Sequence, residues 1–336
     1  MPEFILILKL MMVEKDNHLA LRLGFDVGST TLKTVVVDAH GDVVYSRYER
    51  HHADIEGAMR SAIEALRAPY GDNEFLVGIT GSAGLGIGER CGLSFVQEVV
   101  AACEVVKARY PEATSLVDIG GEDAKMIFFA EGRAPDIRMN GSCAGGTGAF
   151  IDQMAALLNV EIEELSRMAR RAVRVHPIAS RCGVFSKTDI QNLLARNTDR
   201  DEIAASIFHA VAVQVITTLS RGYELRPKVV LCGGPFSFIP PLRDAFREVA
   251  GLGEEDVVLP PSASVVPAWG TALRAQGEPM TLAALQQKVS TRNTAERVVG
   301  VQRGLRPLFA SGQEQEVWRA SKAKYKLPTA TLAEVR

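Results

Sequence analysis

Two segments of the chain share one design, and this internal repeat restricts the possible folds more than any other feature. Residues 23–37 and 116–129 each read as a strand, an Asp-x-Gly turn and a second strand, with β-branched or aromatic runs beside the glycine. In both segments a lysine follows the aspartate by seven residues. The two pairs are Asp26 with Lys33 and Asp118 with Lys125. We interpret the repeat as the duplication of a functional hairpin.

The pattern around the hairpins predicts two α/β halves. In the first half, a helix over 55–66 and a strand over 75–80 follow the hairpin, and a helix over 96–110 ends before Pro111. In the second half, we predict helices at 149–158, at 203–219 and from residue 267, and a buried strand with a glycine turn at 228–235. These elements divide the chain into an N-terminal extension at 1–20, a first lobe at 21–112, a second lobe at 113–278, and a polar linker or appendage at 279–336.

The two hairpins carry the groups that a β-γ phosphate tail and its Mg²⁺ require, namely close backbone N–H donors, hydroxyls, a cation and carboxylates. We assign Asp26 and Asp118 to the hydrated metal or the attacking water. The phosphate contacts are assigned to Gly28, Ser29, Thr30, Thr31 and Lys33 in the first hairpin and to Gly120, Gly121, Asp123 and Lys125 in the second. One Asp-x-Gly turn alone is more often an ordinary β-turn, but a pair of them predicts a nucleotide site. No Walker-type Gly-x-x-x-x-Gly-Lys motif competes with it.

Two of the five cysteines, Cys143 and Cys182, lie in glycine-containing loops just before predicted helices. Helix N-terminal N–H groups favour a thiolate or an anionic cluster there, although either cysteine alone could be a small packed thiol. Two cysteines cannot complete the four-thiolate shell of an iron–sulfur cluster, or a four-ligand zinc site. A symmetric dimer would supply the other two. The remaining cysteines, Cys91, Cys103 and Cys232, are expected to pack in the interior.

The overall composition excludes several classes of protein. An odd number of scattered cysteines argues against a disulfide framework and for a reducing compartment. The net charge is −2 and there is no block of like charges, so the sequence provides no positive electrostatic field that would attract nucleic acid or an anionic membrane. The apolar residues 4–13 are too few to span a bilayer, so we expect a cytoplasmic protein. The pair His51 and His52 is expected on a solvated edge.

Residues 22–275 resemble the activators of 2-hydroxyacyl-CoA dehydratases and the ATPase subunits of benzoyl-CoA reductases, with the motifs in the same order. The motifs that carry this resemblance are residues 26–33, 118–125, 142–148, 180–185 and 232–235. The hairpins and the later strand also match the two phosphate loops and the adenosine loop of the actin, Hsp70 and sugar-kinase superfamily. In that match the adenosine loop is Gly233, Gly234 and Pro235.

The resemblance implies an α/β, ribonuclease H-like duplicated two-lobe fold with ATP and Mg²⁺ in the cleft. It implies that Cys143 and Cys182 bind a 4Fe–4S cluster shared between the two protomers of a homodimer. ATP hydrolysis would then drive a low-potential electron into an iron–sulfur dehydratase or reductase, with ferredoxin or flavodoxin as the electron donor. The sequence departs from the family at Glu122, often Gln, and at Lys187, frequently an acidic residue.

Other readings of the sequence stay open. The residues of the cysteine motifs and of the tail resemble those of the first module of large fused activases, in which the electron acceptor belongs to the same chain. A small-molecule kinase of the same superfamily would use a carboxylate to activate a substrate hydroxyl. A filament or scaffold of the actin type is a third possibility. Both the kinase and the filament leave the two glycine-flanked cysteines unexplained.

Overall fold

The structure of the protein, a computed structural model, describes residues 21–140, 145–180, 182–290, 308–323 and 325. Their contacts divide the chain into two units, Met1–Ser290 and Thr291–Arg336. In the second unit, a helix over Gly312–Ala323 has no buried residue, and Trp318 on it packs against the ring of Phe309. All the elements described below belong to the first unit.

The first hairpin is the centre of a six-stranded mixed sheet. Strands β1 and β2 run antiparallel and place Asp26 opposite Lys33, while β4 runs parallel to the other side of β1. The strand order is β11-β4-β1-β2-β3, with β5 beside β4. The strands are Leu21–Val27 (β1), Thr31–Val37 (β2), Val43–Arg50 (β3), Glu74–Thr80 (β4), Ser94–Phe95 (β5) and Met280–Thr281 (β11).

The second hairpin is the centre of a five-stranded sheet built in the same way. Strands β6 and β7 run antiparallel and place Asp118 opposite Lys125, and β9 runs parallel to β6. The strand order is β10-β9-β6-β7-β8. The strands are Ser115–Ile119 (β6), Ala124–Phe128 (β7), Asp136–Met139 (β8), Val229–Cys232 (β9) and Val257–Val258 (β10). The predicted duplication of the hairpin is therefore a duplication of the sheet around it.

Three helices belong to the first sheet alone. Helix α1 begins after Asp54, whose carboxylate accepts the N–H of Gly57 at 3.0 Å, and it buries Met59, Ile63 and Leu66 against the sheet. The cap and the apolar spacing explain why the chain turns into a helix here. The three helices are Ile55–Tyr70 (α1), Gly84–Cys91 (α2) and Leu282–Ser290 (α11).

Helices cover the second sheet and pack on one another. The longest of them, Arg200–Leu219, is long and apolar enough to cross a membrane by length and composition, yet most of that apolar stretch is buried in this core. The helices are Gly148–Leu157 (α4), Ile162–Arg171 (α5), Gly183–Ala195 (α6), Arg200–Leu219 (α7), Gly234–Phe238 (α8) and Pro240–Ala250 (α9).

Two further helices, Glu98–Arg109 (α3) and Val266–Leu273 (α10), pack against each other between the two sheets. Their close approach depends on glycine, since a Cβ on Gly270 would lie 1.8 Å from the carbonyl oxygen of Ala101. Trp269 is buried at this junction and donates its indole N–H to the carbonyl of Gly41 at 2.9 Å. The junction joins the two sheets into one core.

The structure changes one boundary that the sequence predicted. Residues 280–281 pair with β4, and α11 packs against α1 with Leu282 and Leu285 buried. The segment from 280 to 290 therefore belongs to the first sheet, and it is not a linker. The polar residues between its few apolar positions concealed this packing in the sequence.

Candidate functional site

The turns of the two hairpins face each other across one cleft. A Cβ on Gly121 would lie 2.5 Å from Oγ1 of Thr30, so the two turns are in direct contact. Of the residues predicted for the nucleotide site, all but Lys125 and Pro235 line this cleft. They are Asp26, Gly28, Ser29, Thr30, Thr31, Lys33, Asp118, Gly120, Gly121, Asp123, Gly233 and Gly234.

In the first hairpin, Asp26 and Lys33 form a buried ion pair. Nζ of Lys33 lies 2.8 Å from Oδ2 of Asp26, which the register of β1 and β2 brings directly opposite. Burial acts to lower the pKa of Lys33, but the attraction to Asp26 outweighs it and the pKa lies above its ordinary value. Lys33 therefore remains a cation at the floor of the cleft, suited to a phosphate oxygen.

In the second hairpin, Lys125 is shared by two carboxylates. Its Nζ lies 2.7 Å from Asp123 and 2.8 Å from Glu98. Burial acts to lower the pKa of Lys125, and Asp118, Glu98 and Asp123 together raise it. Lys125 lies beneath the cleft wall and holds those carboxylates in place. This arrangement explains why it does not itself line the cleft.

Asp118 lies at the end of β6 and is almost fully enclosed by its neighbours. Burial raises its pKa, with the attraction of Lys125 opposing that effect. The thiol of Cys232, at the paired position of β9, is a neighbour of this carboxyl, and burial raises the pKa of that thiol well above its usual range. A proton on Cys232 can therefore be shared with Asp118, while the other side of Asp118 faces the cleft.

Glu98 is a site residue that sequence reasoning did not assign. It is the first residue of α3 and lines the cleft, where its carboxylate bonds to Lys125 and does not cap the helix. Burial, helped by the charge of Asp26 and opposed by Lys125, raises its pKa to about 7. A carboxyl group that titrates near neutral pH is suited to accept a proton. Its position at a helix start explains why a capping role accounted for it nearly as well in the sequence.

The carboxylates outnumber the cations in this cleft. Asp26, Asp118, Asp123, Glu98 and Glu122 carry five formal negative charges when ionised, against two on the lysines of the hairpins. The resulting formal charge of −3 suits a hydrated divalent cation that would accompany a phosphate tail. The residues present therefore fit Mg²⁺.

Two glycines occupy equivalent positions beside the aspartates of the hairpins. Gly81 follows β4 with a φ of +93°, and Gly233 follows β9 with a φ of +94°. A Cβ would lie 2.3 Å from the carbonyl oxygen of Val27 at the first position and 2.1 Å from that of Ile119 at the second. Only glycine fits either place. Gly81 was missing from the predicted site, although its place after the parallel strand is the same as that of Gly233.

Tyr48 was also missing from the predicted site. It lies on β3 and reaches across to the second half, where a Cβ on Gly234 would lie 2.6 Å from its hydroxyl oxygen. Its ring lies 5.9 Å from Nζ of Lys33 and packs edge-on against Phe238. Tyr48 therefore connects the first hairpin to the predicted adenosine loop. Ser82, Glu122, Ser264 and Pro267 complete the lining.

A second hollow adjoins the cleft on the side of the predicted adenosine loop. Pro235 lines it, together with Ile162, Glu163 and Phe238. Phe238 is 58% exposed, and Glu163 lines the same hollow. An exposed aromatic face beside an acceptor suits a nucleobase and a ribose hydroxyl.

Of the two predicted cluster ligands, Cys143 lies outside the described residues. Cys182 is half-buried immediately before α6, and it is a free thiol. A Cβ on Gly183 would lie 3.8 Å from Cα of Gly145, so the chain next to one cysteine meets the chain next to the other. Within the described ranges, no group of three or more His, Cys, Asp or Glu side chains converges to hold a metal ion. Cys91, Cys103 and Cys232 are buried, as predicted.

We define residues 140–148 as the cysteine loop, and both of its ends are bonded to the second hairpin. Asn140 accepts the N–H of Ala124 on its side chain at 2.8 Å. At the other end, Gly148 and Ala149 donate their N–H groups to the carbonyl oxygens of Gly120 and Gly121, at 2.9 and 2.7 Å. The cysteine loop is thus attached directly to the turn that faces the cleft.

Duplicated α/β lobes with facing Asp-x-Gly hairpins define the nucleotide-binding fold of actin, Hsp70 and the sugar kinases. The family model described as the BadF/BadG/BcrA/BcrD ATPase family matches residues 23–275. The chain belongs to this ATPase family.

The chain is similar to proteins with known partners. It is 31% identical over 255 residues to the (R)-2-hydroxyglutaryl-CoA dehydratase activating ATPase of Acidaminococcus fermentans, a match that covers 75% of this chain and 96% of that protein. It is 29% identical to the activator of lactoyl-CoA dehydratase of Anaerotignum propionicum, over 75% of this chain and 96% of that protein.

Two solved structures of dehydratase activators are also similar to this chain. The crystal structure of component A of the Acidaminococcus fermentans dehydratase matches with a TM-score of 0.67 at 26% identity, over 81% of this chain and all of that one. The activator of 2-hydroxyisocaproyl-CoA dehydratase from Clostridium difficile, with bound ADPNP, matches with a TM-score of 0.65 at 25% identity, over 86% of this chain and all of that one. The predicted α/β two-lobe fold of the actin, Hsp70 and sugar-kinase type is confirmed.

Proposed function

We propose that this protein is an ATP-dependent activase, in which ATP hydrolysis drives a low-potential electron from a 4Fe–4S cluster to a partner iron–sulfur protein. The observation that carries the proposal is the attachment of the cysteine loop to the second phosphate turn, through the N–H groups of Gly148 and Ala149. A change at the γ-phosphate has a direct path through these bonds to the residues around Cys143.

The cleft residues would have different roles in ATP hydrolysis. Asp26 and Asp118 would hold the hydrated Mg²⁺ and orient the attacking water, and Lys33 would neutralise charge on the phosphates. The water attacks the γ-phosphorus, the bond to the bridging oxygen breaks, and ADP leaves with the electron pair. Glu98 accepts the proton of the water, because its pKa near 7 lets it be ionised before the reaction and protonated after it.

Cys143 and Cys182 are the residues that would hold the cluster. Cys182 lies at the N-terminus of α6, and Gly145 and Gly183 bring the two cysteine-bearing segments together. Helix N-terminal N–H groups favour the negative charge of thiolates and of a cluster. When bound, a 4Fe–4S cluster supplies a one-electron centre of low potential.

The surface beside Cys182 suits an interface with a second copy of the chain. Val184 and Phe185, on the first turn of α6, are 72% and 66% exposed. Adjacent exposed apolar side chains are suited to a contact surface. A two-fold axis here would bring together four cysteines, two from each protomer, and make a homodimer and a complete ligand set one event.

The relatives indicate the class of partner. Two of them are named as activators of 2-hydroxyacyl-CoA dehydratases, and another belongs to the benzoyl-CoA reductase of Thauera aromatica. We therefore propose an electron acceptor of the dehydratase or reductase type. A ferredoxin or flavodoxin would reduce the activase, since both carry single electrons at low potential.

We also propose that the protein is cytoplasmic. We propose that the boundary between its two lobes lies near residue 112.

Anaerobic purification followed by iron, sulfide and ATPase assays tests the proposal. The expected result is a brown protein with about four irons per two protomers and MgATP hydrolysis. The Cys182→Ala variant should lose the iron but still bind MgATP, whereas the buried control Cys103→Ala should keep both. ATP hydrolysis without iron in the unmodified protein, together with phosphorylation of a small molecule, would favour the kinase.

A further inference from the structure

The side chain of His51 is buried against the first phosphate hairpin and contradicts the expectation of a solvated edge. Only 6% of the residue is exposed, and its Nε2 lies 3.0 Å from the carbonyl oxygen of Gly28. Its backbone N–H donates to the carbonyl of Thr30 at 3.2 Å. The adjacent His52 is exposed. One histidine of the pair is therefore packed against the backbone of the first hairpin, and the other is not.

The second ring nitrogen fixes the tautomer. The N–H of Ala53 donates to Nδ1 of His51 at 3.1 Å, so Nδ1 is an acceptor and carries no proton. The proton of the neutral ring is then on Nε2, and it points at the carbonyl of Gly28. Both bonds form together only with this tautomer.

These contacts decide which backbone groups of the turn can face a phosphate. The carbonyl of Gly28 accepts from the His51 ring, that of Thr30 from the His51 backbone, and that of Thr31 from the N–H of Gly28 at 3.0 Å. A carbonyl oxygen engaged in this way is turned to its donor and cannot point at an anionic phosphate oxygen. Three carbonyls of the turn are therefore engaged within the protein, while Ser29, Thr30 and Thr31 line the cleft.

We propose that His51 is a positioning residue of the nucleotide site: its Nε2–H holds the carbonyl of Gly28 away from the phosphates. The inference rests on nucleotide binding in the cleft and is independent of the cluster. His51 touches the hairpin and not the reacting atoms, so it affects the affinity for MgATP more than the rate of hydrolysis.

Two substitutions separate the roles of the ring nitrogens. His51→Gln places an amide N–H where Nε2 lies, whereas His51→Asn keeps only an acceptor for the N–H of Ala53 and cannot reach Gly28. Loss of the hydrogen bond to the part-buried carbonyl of Gly28 is expected to weaken binding of MgATP by about tenfold. We expect His51→Asn to bind MgATP about tenfold more weakly by calorimetry with kcat within about twofold of the unmodified value, and His51→Gln to restore most of the affinity.

His52→Ala is the matched control and should bind as the unmodified protein does. Unchanged affinity in His51→Asn, or equal losses in His51→Asn and His51→Gln, would overturn the inference. Absence of MgATP binding by the unmodified protein would instead overturn the nucleotide site as well. The failures are therefore distinguishable.

A measurement without substitution in the site keeps the inference testable if His51→Asn does not fold. Protein with ¹⁵N-labelled histidine should show the Nε2–H tautomer for His51, and its Nε2 resonance should shift when MgADP binds. The Nδ1–H tautomer, or an Nε2 resonance that does not change when MgADP binds, would contradict the proposed role.

Discussion

The guanidinium of Arg50 holds both carboxylate oxygens of Asp152, at 2.9 and 3.2 Å. Arg50 ends β3 of the first sheet, and Asp152 lies on α4, the helix that follows the cysteine loop. The pair thus joins the two halves beside the nucleotide cleft. The two side chains are 54% and 39% exposed, so the pair adds less than about 1 kcal/mol to the unfolding free energy. Because the pair links the two halves, we expect it to resist their separation and so to slow the release of a bound nucleotide.

We predict that Asp152→Asn releases MgADP about three to five times faster, because it loses an ion pair of at most about 1 kcal/mol in the closed cleft. Raising the ionic strength should bring the unmodified protein towards the variant, since exposed pairs are screened. Stopped-flow release of a fluorescent ADP measures both effects. Asp201→Asn breaks a similar exposed pair, with Arg171, away from the cleft and serves as the control. Equal release rates in all three proteins would refute the prediction.

Asp26→Asn and Asp118→Asn should each reduce MgATP hydrolysis by about a hundredfold, as expected when a group that positions the metal or the water loses its charge. Binding of ATP should change much less, because most phosphate contacts come from the turns. Asp26→Asn is expected to be the less stable variant, since it leaves Lys33 without its counter-ion. Steady-state turnover and calorimetry measure the two quantities, with the exposed Asp72→Asn as control. Normal turnover in both cleft variants would exclude the assigned roles.

The pH dependence of kcat/KM should report Glu98. This quantity reflects the free enzyme, so kcat/KM should rise with pH and level off above about 7, where Glu98 is ionised and can accept a proton. Glu98→Gln should be slow and should lack this rise. A rise of the same size and midpoint in Glu98→Gln would assign the titration to another group.

The same shift predicts a stability effect of definite sign. The pKa of Glu98 is raised from 4.5 to about 7, so between these values the native state binds a proton that the unfolded chain releases. The unfolding free energy contributed by this group therefore falls as pH rises through that window. Denaturant titrations of the unmodified protein and of Glu98→Gln should differ in slope against pH only between about 4.5 and 7.

Gly233→Ala should destabilise the protein by more than about 3 kcal/mol or prevent folding, because a positive φ and a backbone clash coincide there. Gly251 separates the two causes. It also has a positive φ, of +68°, but a Cβ there would meet no atom within 4 Å, so Gly251→Ala should cost only about 1 to 2 kcal/mol. Urea unfolding provides both values. A similar cost at the two positions would show that the clash is relieved by local movement.

Much of the fold followed from the sequence because its strongest signals are local. The spacing from Asp26 to Lys33, repeated at Asp118 and Lys125, fixes the register of two antiparallel pairs, and the structure pairs these residues directly. Apolar periodicity located the long helix Arg200–Leu219 because one core buries so many of its side chains.

The features that sequence reasoning did not find depend on packing between distant segments. His51, Tyr48 and Glu98 belong to ordinary strand ends and helix starts, and only the pairing of the two halves turns them into the cleft. The short strand Met280–Thr281 has too few residues to show a pattern. Gly81 could have been found by aligning the residue after β4 with the residue after β9.

The most direct test of the account is whether nucleotide binding changes the iron–sulfur cluster. EPR spectra of the anaerobically purified and reduced protein should be recorded without nucleotide, with MgADP and with MgATP, beside Cys182→Ala. The account predicts a 4Fe–4S signal from about four irons per two protomers. Its line shape or midpoint potential should differ between MgADP and MgATP, because Gly148 and Ala149 bond the cysteine loop to the second phosphate turn. A signal unaffected by nucleotides in a protein that hydrolyses ATP, or one retained in Cys182→Ala, would contradict it.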